Sequence, residues 1–440
     1  MNSFAFLQLG FYIVPLTRFI EVMRREDIEI MAPVGSYESL MAAIQAGAGS
    51  VYFGVEHLNM RARSANNFTL EDIKEIARRS NEAGVKTYLT VNVEVFDEEF
   101  STLSAVLTAA RDAGISAVIA ADMSVIQQCR ELGIEVHIST QVNITNYEAV
   151  KFYSQFADVM VLAREMNLGR VYNIAQKIKD NDLRGPSGKI VRLEMFVHGA
   201  LCMAISGKCY LSLHETHSSA NRGSCMQACR RAYIITDKET GRELEVDNEY
   251  IMSPKDLKTI HFLNKILDSG VTILKIEGRA RSPEYVKTVV ACYHEAVDAY
   301  FDETFNEEKI AVWDERLASV FNRGFWDGYY LGQRLGEWSS NYGSMATKRK
   351  IYTGKVTNYF SNLGVAEIKL ETGSLKLGDE IIISGPSTGL IQTKVEEIRV
   401  NLVAVNEAKK GELCSIAVAM KLRRSDKLYK LVDAAEVKLQ

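Results

Sequence analysis

Eight short apolar runs, each followed by a stretch of helical spacing, restrict the fold of this chain more than any other feature. The runs are IEIMAPVG (28–35), VYFGVEH (51–57), KTYLTVNV (86–93), AVIAADM (117–123), EVHIST (135–140), VMVLARE (159–165), LEMFVHG (193–199) and TILKIEG (272–278). Continuous apolar runs of this length read as strands buried on both faces, as in a parallel sheet. The connectors behave as helices: SYESLMAAIQAGA and TLEDIKEIARRSNEAG open on Ser36 and Thr69 as N-caps and close on Gly47 and Gly84. Eight β-then-α units predict an α/β fold of the TIM-barrel, (β/α)8, kind. Its chemistry would sit where the strands end, at Glu56, Asn92, Asp122, Gln141, Asn143, Arg164, His198 and Glu277. The plainer reading of such a row is that strand ends turn polar as they leave the core.

The connection after the seventh run, over 200–270, is far longer than the usual few-residue loop. It holds four of the seven cysteines, Cys202, Cys209, Cys225 and Cys229, spaced C-x6-C-x15-C-x3-C, with Lys208, Arg222, Arg230 and Arg231 nearby. Four thiolates converging on one point repel one another, and a cationic centre that shares their charge would hold them. A [4Fe-4S] cluster suits the spacing better than zinc, which favours two tight C-x2-C pairs; zinc and a pair of disulfides remain open alternatives. Cys129, Cys292 and Cys414 fall within helical or strand patterns and read as small buried hydrophobes.

Beyond EWSSNYGSMATKRK (337–350), which reads as a linker, the pattern changes to short strands broken by Gly, Pro, Ser and Asn, predicting a small C-terminal antiparallel β-barrel over 351–440. From Lys348 onward 16 basic residues face 11 acidic ones, a net +5, which leaves −9 for residues 1–347 within the total of −4. That asymmetry favours a polyanion held at one end, and the overall charge argues against a general nucleic-acid coat. The apolar start, MNSFAFLQLGFYIVPLTRF, lacks the basic opening and cleavage site of a secretory signal, so residues 1–22 are expected to be an extension ahead of a start near Met23 and of a domain spanning 23–336. No other stretch reads as a membrane span, which predicts a cytoplasmic protein with reduced thiols.

Other chemistries find little support in the sequence. HETH, with His214 and His217, lacks the one-turn spacing of HExxH, and neither a G-x-S-x-G elbow nor a G-x-G-x-x-G after a strand is present.

The run EMFVHGALCMAISGKCYLS (194–212) resembles the signature of peptidase family U32, and the likeness continues through RGSCMQACRRAY (222–233), SPKDL (253–257) and KIEGRARSPEYV (275–286). APVGSYESLMAAIQAGA (32–48) is similar to the opening of that family, so the resemblance spans about 23–345. Despite the family name, the resemblance implies oxygen-independent hydroxylation, with members that make 5-hydroxyuridine at the wobble position of tRNA, that hydroxylate a ribosomal cytidine, or that act in ubiquinone synthesis. It also implies that Cys202, Cys209, Cys225 and Cys229 bind the cluster, and that prephenate is the co-substrate.

The expectation that follows is a tRNA-modifying enzyme whose cluster lies over the barrel mouth, beside a flipped base and a small carboxylate donor. Arg61, Arg63, Arg164, Lys275 and Arg279 would meet carboxylate or phosphate, and His198 and Glu277 would move a proton. Two alternatives stand beside it: a true peptidase, and a non-catalytic RNA-binding protein stapled by a metal. DNA and membrane are not expected partners.

Overall fold

The computed structural model describes residues 23–56, 58–63, 67–231, 234–245, 253–333, 336–339 and 343–436. The expected extension at 1–22 lies outside them. All eight apolar runs form strands: β1 (Glu29–Pro33), β2 (Ser50–Phe53), β3 (Lys86–Val91), β4 (Ala117–Ala120), β5 (Val136–Ile138), β6 (Val159–Val161), β7 (Arg192–Gly199) and β8 (Ile273–Ile276). Each runs parallel to the next, and β8 pairs with both β7 and β1, which closes the barrel. A helix follows every strand, from Tyr37–Gln45 after β1 to Pro283–Phe301 after β8.

Local chemistry sets the helix ends. Ser36 accepts the Ser39 N–H and starts its helix as expected. Thr69 does not: its N–H and hydroxyl both donate to Asp72, and the helix runs Asp72–Glu82. Gly47 and Gly84 end their helices at φ of 82° and 70°.

Outside the strands, one large apolar core joins them to the helices. Inside, Met31, Tyr52, Tyr88, Ala117, Ile119, Val159 and Ile273 pack together. Two ionic groups are buried in the same barrel. Glu29 accepts from Lys86 at 2.8 Å and Tyr88 at 2.6 Å, and Glu194 meets Lys275 at 2.6 Å and His137 at 3.3 Å.

The excursion after β7 contains a short helix, Leu211–Thr216, turns at Ala220–Arg222 and Ala228–Arg230, and a strand, Asp256–Lys258, that returns antiparallel along β7. Within the expected 200–270 segment, Leu263–Asp268 is the seventh helix of the barrel itself. Part of the 337–350 stretch is fastened back: Glu337 O accepts the Lys255 N–H and Ser339 N–H donates to Ser253 O.

The C-terminal strands form an eight-stranded antiparallel sheet that begins at Lys348–Phe360 and surrounds its own core, including Val356, Ile368, Ile383, Ile398 and Leu428. Its edge strands, Gly389–Lys394 and Val403–Val405, are not paired with each other among the described residues. The sheet docks on the barrel flank. Gln45 donates to Thr388 O at 2.7 Å and accepts from Leu390 N at 3.2 Å, Lys287 donates to Leu390 O, and Lys350 meets Glu284 at 2.8 Å.

Candidate active site

The cysteine-bearing excursion folds over the C-terminal ends of the strands, where barrel enzymes carry their chemistry. Between loop and barrel lies a cavity of about 120 Å³. Cys202, Cys209, Cys225 and Cys229 all line it, opposite Tyr52, Thr90, Asn92, Gln141, Phe196, Lys275, Glu277 and Arg279.

Several anchors fix the loop. Arg222 pairs with Glu99 at 2.5 Å and lies 4.0 Å above the Phe96 ring, and Arg230 donates to Ser253 Oγ, Pro254 O and Leu201 O at 2.6–2.8 Å. Gly223, at φ 75°, lies so close to Asn59 O that a Cβ would stand 2.2 Å from it. Gly199, where the chain leaves β7, is held at φ 102°, and a Cβ there would meet Glu277 O at 2.4 Å. No side chain fits at either turn without the backbone moving.

All four loop cysteines are free thiols; Cys202 is exposed and the others are partly buried. Burial pushes the Cys229 thiol up to about 11, Arg230 opposes this, and the other three sulfurs add to it. Burial likewise raises Cys209, which also feels Cys202 and Cys225. Among the described residues no three His, Cys, Asp or Glu side chains are gathered tightly enough for a single metal ion.

The expected anion-binding residues separate into three groups. Arg61 and Arg164 line the cavity with free donors. Arg61 holds Glu277 through Nη2 at 2.7 Å. Arg164 stacks 3.9 Å over Phe196 and reaches Ala200 O, while its buried Nε has no hydrogen-bond partner. Lys275 and Arg279 also line the cavity but are committed to the protein. Lys275 is paired with Glu194, and Arg279 donates to Thr90 Oγ1 at 3.0 Å and Asn59 Oδ1 at 2.8 Å. Burial brings Arg279 down to about 10, against the pull of Tyr52 and Glu277. Arg63 stands apart from these: its side chain is exposed, lines neither cavity at the cysteines, and its backbone N–H donates to Gly223 O.

Of the two residues expected to move a proton, Glu277 lines the cavity and His198 does not. Burial disfavours the Glu277 carboxylate, yet Arg61, Arg164 and Arg279 outweigh it and hold the group at about 2. That holds it as an anion at neutral pH and makes it an anchor for Arg61. His198 faces away from the cavity. In the β7–β8 ladder Lys275 pairs with Phe196 but Ile276 pairs with His198, skipping Val197. One extra residue reverses the inside–outside alternation. The slip sends His198 against Tyr285, Tyr293 and Phe325, where burial first, then Lys258 and Arg281, press it to about 3.

Of the other strand-end residues, Asn92 and Gln141 bond to each other at the cavity at 3.3 Å, whereas Asp122 caps the helix Met123–Leu132. The sequence reading missed Tyr52, Thr90 and Phe196. They precede the strand tips by one or two turns of alternation and face inward, which a parity count along each run would have found.

A model of the family described as Peptidase family U32 matches residues 35–340. The chain is 62% identical over 408 residues to a protein named "Collagenase" of Porphyromonas gingivalis strain W83, covering 93% of this chain and 99% of that one. It is 34% identical over 378 residues to "tRNA hydroxylation protein P1" of Bacillus subtilis strain 168, covering 84% and 86%. With "23S rRNA 5-hydroxycytidine C2501 synthase" of Escherichia coli K12 it shares 35% identity over 320 residues, covering 70% of this chain and 46% of that one.

Proposed function

The chain belongs to peptidase family U32, and from that membership we propose that it is an RNA hydroxylase acting without molecular oxygen, with wobble uridine of tRNA as its substrate and a small carboxylate, prephenate or a close analogue, as the oxygen source. One observation carries the reading: four free cysteines line a single cavity together with Arg61 and Arg164 at the open end of a barrel. The donor set fits an iron-sulfur cluster of the [4Fe-4S] kind. Its members are all sulfur, and they lie within electrostatic reach of one another. Cys202, Cys209, Cys225 and Cys229 would hold it, and when bound it would supply one-electron chemistry at the barrel mouth.

The protein's own groups have separable tasks. Arg164, with an unused buried N–H, and Arg61, braced by Glu277, orient a carboxylate. Asn92 and Gln141 offer amide groups of the kind that read a base edge, and Phe196 a ring face under Arg164. The uridine enters the cavity out of its stack, since C5 is otherwise shielded. A cytoplasmic location is part of the same proposal, and no helix among the described residues is long and apolar enough to cross a membrane.

The second reading is a peptidase, favoured by 62% identity to a protein named for collagen cleavage. It requires an activated nucleophile or metal-bound water. The cavity lining offers a hydroxyl at Ser139, Thr140, Ser206 or Ser212 but no histidine to activate it. Nucleosides of tRNA from a deletion strain, with and without a plasmid copy of the gene, distinguish the two. Loss and plasmid-dependent return of 5-hydroxyuridine derivatives supports the hydroxylase; unchanged nucleosides in a strain without a duplicate enzyme reject it. In the Cys202→Ser protein, purified without air, iron and acid-labile sulfide are expected to be absent and the modification lost while the barrel stays folded.

A further inference from the structure

Beside the mouth cavity, and sharing Arg61, Arg164 and Glu277 with it, lies a second cavity of about 120 Å³ whose lining also includes Arg230, Arg281 and Arg323. Cys202, Cys225 and Cys229 form part of its wall, so it adjoins the mouth cavity through the cysteine loop. Arg281 and Arg323 are its least satisfied members. Their side chains are only 15% and 14% exposed, and they share the single carboxylate of Asp256, at 3.9 and 3.3 Å. Each guanidinium carries five N–H donors. Among the described residues the two together make one side-chain hydrogen bond, Arg323 to Asp256.

Both are nevertheless held in place. The Arg281 guanidinium lies 3.6 Å over the Phe321 ring and the Arg323 guanidinium 5.2 Å from it. With Asp256 included, five guanidiniums face two carboxylates, an excess of three positive charges around one cavity. Buried charge in that excess is costly unless an anion enters. Thiolates around a cluster would offset part of it at the cysteine wall, yet the free donors of Arg281 and Arg323 would still lack acceptors.

We propose that Arg281 and Arg323, with Arg164 and Arg230, form an oxyanion subsite beside the cysteine loop, taking a carboxylate or phosphate group in paired guanidinium hydrogen bonds. A planar fork matches either group. Asp256 competes for the same donors and keeps them aligned when the site is empty of ligand. This site does not depend on the hydroxylation reading: protein that binds anions here but leaves tRNA unmodified keeps the subsite and loses that reading.

Titration calorimetry on the full chain, purified without air, tests it with inorganic phosphate, succinate and a single-stranded RNA oligonucleotide as probes. Saturable binding of phosphate or succinate is expected, weakened about tenfold or more by Arg281→Gln or Arg323→Gln and less by Arg323→Lys, which keeps the charge but not the fork. Asp256→Asn has the opposite sign and tightens binding, an outcome that a merely damaged fold does not produce. If the arginine variants also weaken RNA and phosphate competes with it, the natural group is a backbone phosphate. If RNA is unmoved and succinate binds more tightly than phosphate, it is a small-molecule carboxylate. Absence of saturable anion binding, or binding unchanged in both arginine variants, overturns the proposal.

Discussion

Replacing Glu277 by Gln tests whether this residue is an anchor or a proton carrier. Its side chain is 13% exposed and is held by Arg61, with Arg164 and Arg279 close by. Folding takes the carboxyl from an ordinary 4.5 to about 2, which corresponds to about 3 kcal/mol of stability at neutral pH. A depressed carboxylate contributes fully above the unfolded value and loses its contribution as pH falls through the folded one. The wild-type advantage over Glu277→Gln is therefore about 3 kcal/mol at pH 7, less than half of that at pH 3, and vanishes below pH 2. Trp313, Trp326 and Trp338 all precede the C-terminal sheet, so tryptophan fluorescence in urea reports on the barrel alone. The variant should unfold at distinctly lower urea at pH 7, with the two curves converging on acidification. Equal stability at pH 7, or a gap that does not narrow below pH 4.5, would refute the argument that three guanidiniums hold this carboxylate ionised.

His198→Gln should spare chemistry at the cavity, because the ring faces the opposite side of the strand. Since the folded protein refuses the proton that the unfolded chain accepts below about 6.5, wild type loses stability between pH 6.5 and 3, and the variant loses less; urea midpoints across that range decide it. Gly199→Ala forces a Cβ into Glu277 O at positive φ and should destabilise by about 2–4 kcal/mol, read by the same fluorescence. Gln45→Ala removes two hydrogen bonds to the C-terminal sheet and should weaken its docking by about 1–2 kcal/mol, seen as faster protease nicking between barrel and sheet at unchanged tryptophan signal.

The barrel was legible because strands buried on both faces must be apolar throughout, as at AVIA and VMV, and because glycine at positive φ punctuates the helices between them. The gathering of Cys202, Cys209, Cys225 and Cys229 at one cavity was legible for a similar reason: thiols concentrated in so short a segment stand out against composition. Individual roles were not. Glu277 and Lys275 look like reactive groups in the sequence, but their partners Arg61 and Glu194 come from 216 and 81 residues away. Arg281 and Arg323 drew no attention, since arginines at a helix start and in a loop are ordinary until Asp256 is seen to serve both. The misplacement of His198 has a sharper cause, because alternation is a reliable guide to facing only while the ladder keeps step.

That lost step at Val197 gives the rim a mechanical sensitivity of its own. Removing this one residue would let the ladder run in step while His198 stays opposite Ile276 on the helix side, so the imidazole would keep its place and only the path of the chain from β7 into the cysteine loop would change. A single-codon deletion there is thus expected to shift the anchor of the cysteine loop by one residue and leave the polar lining of the chamber as it is.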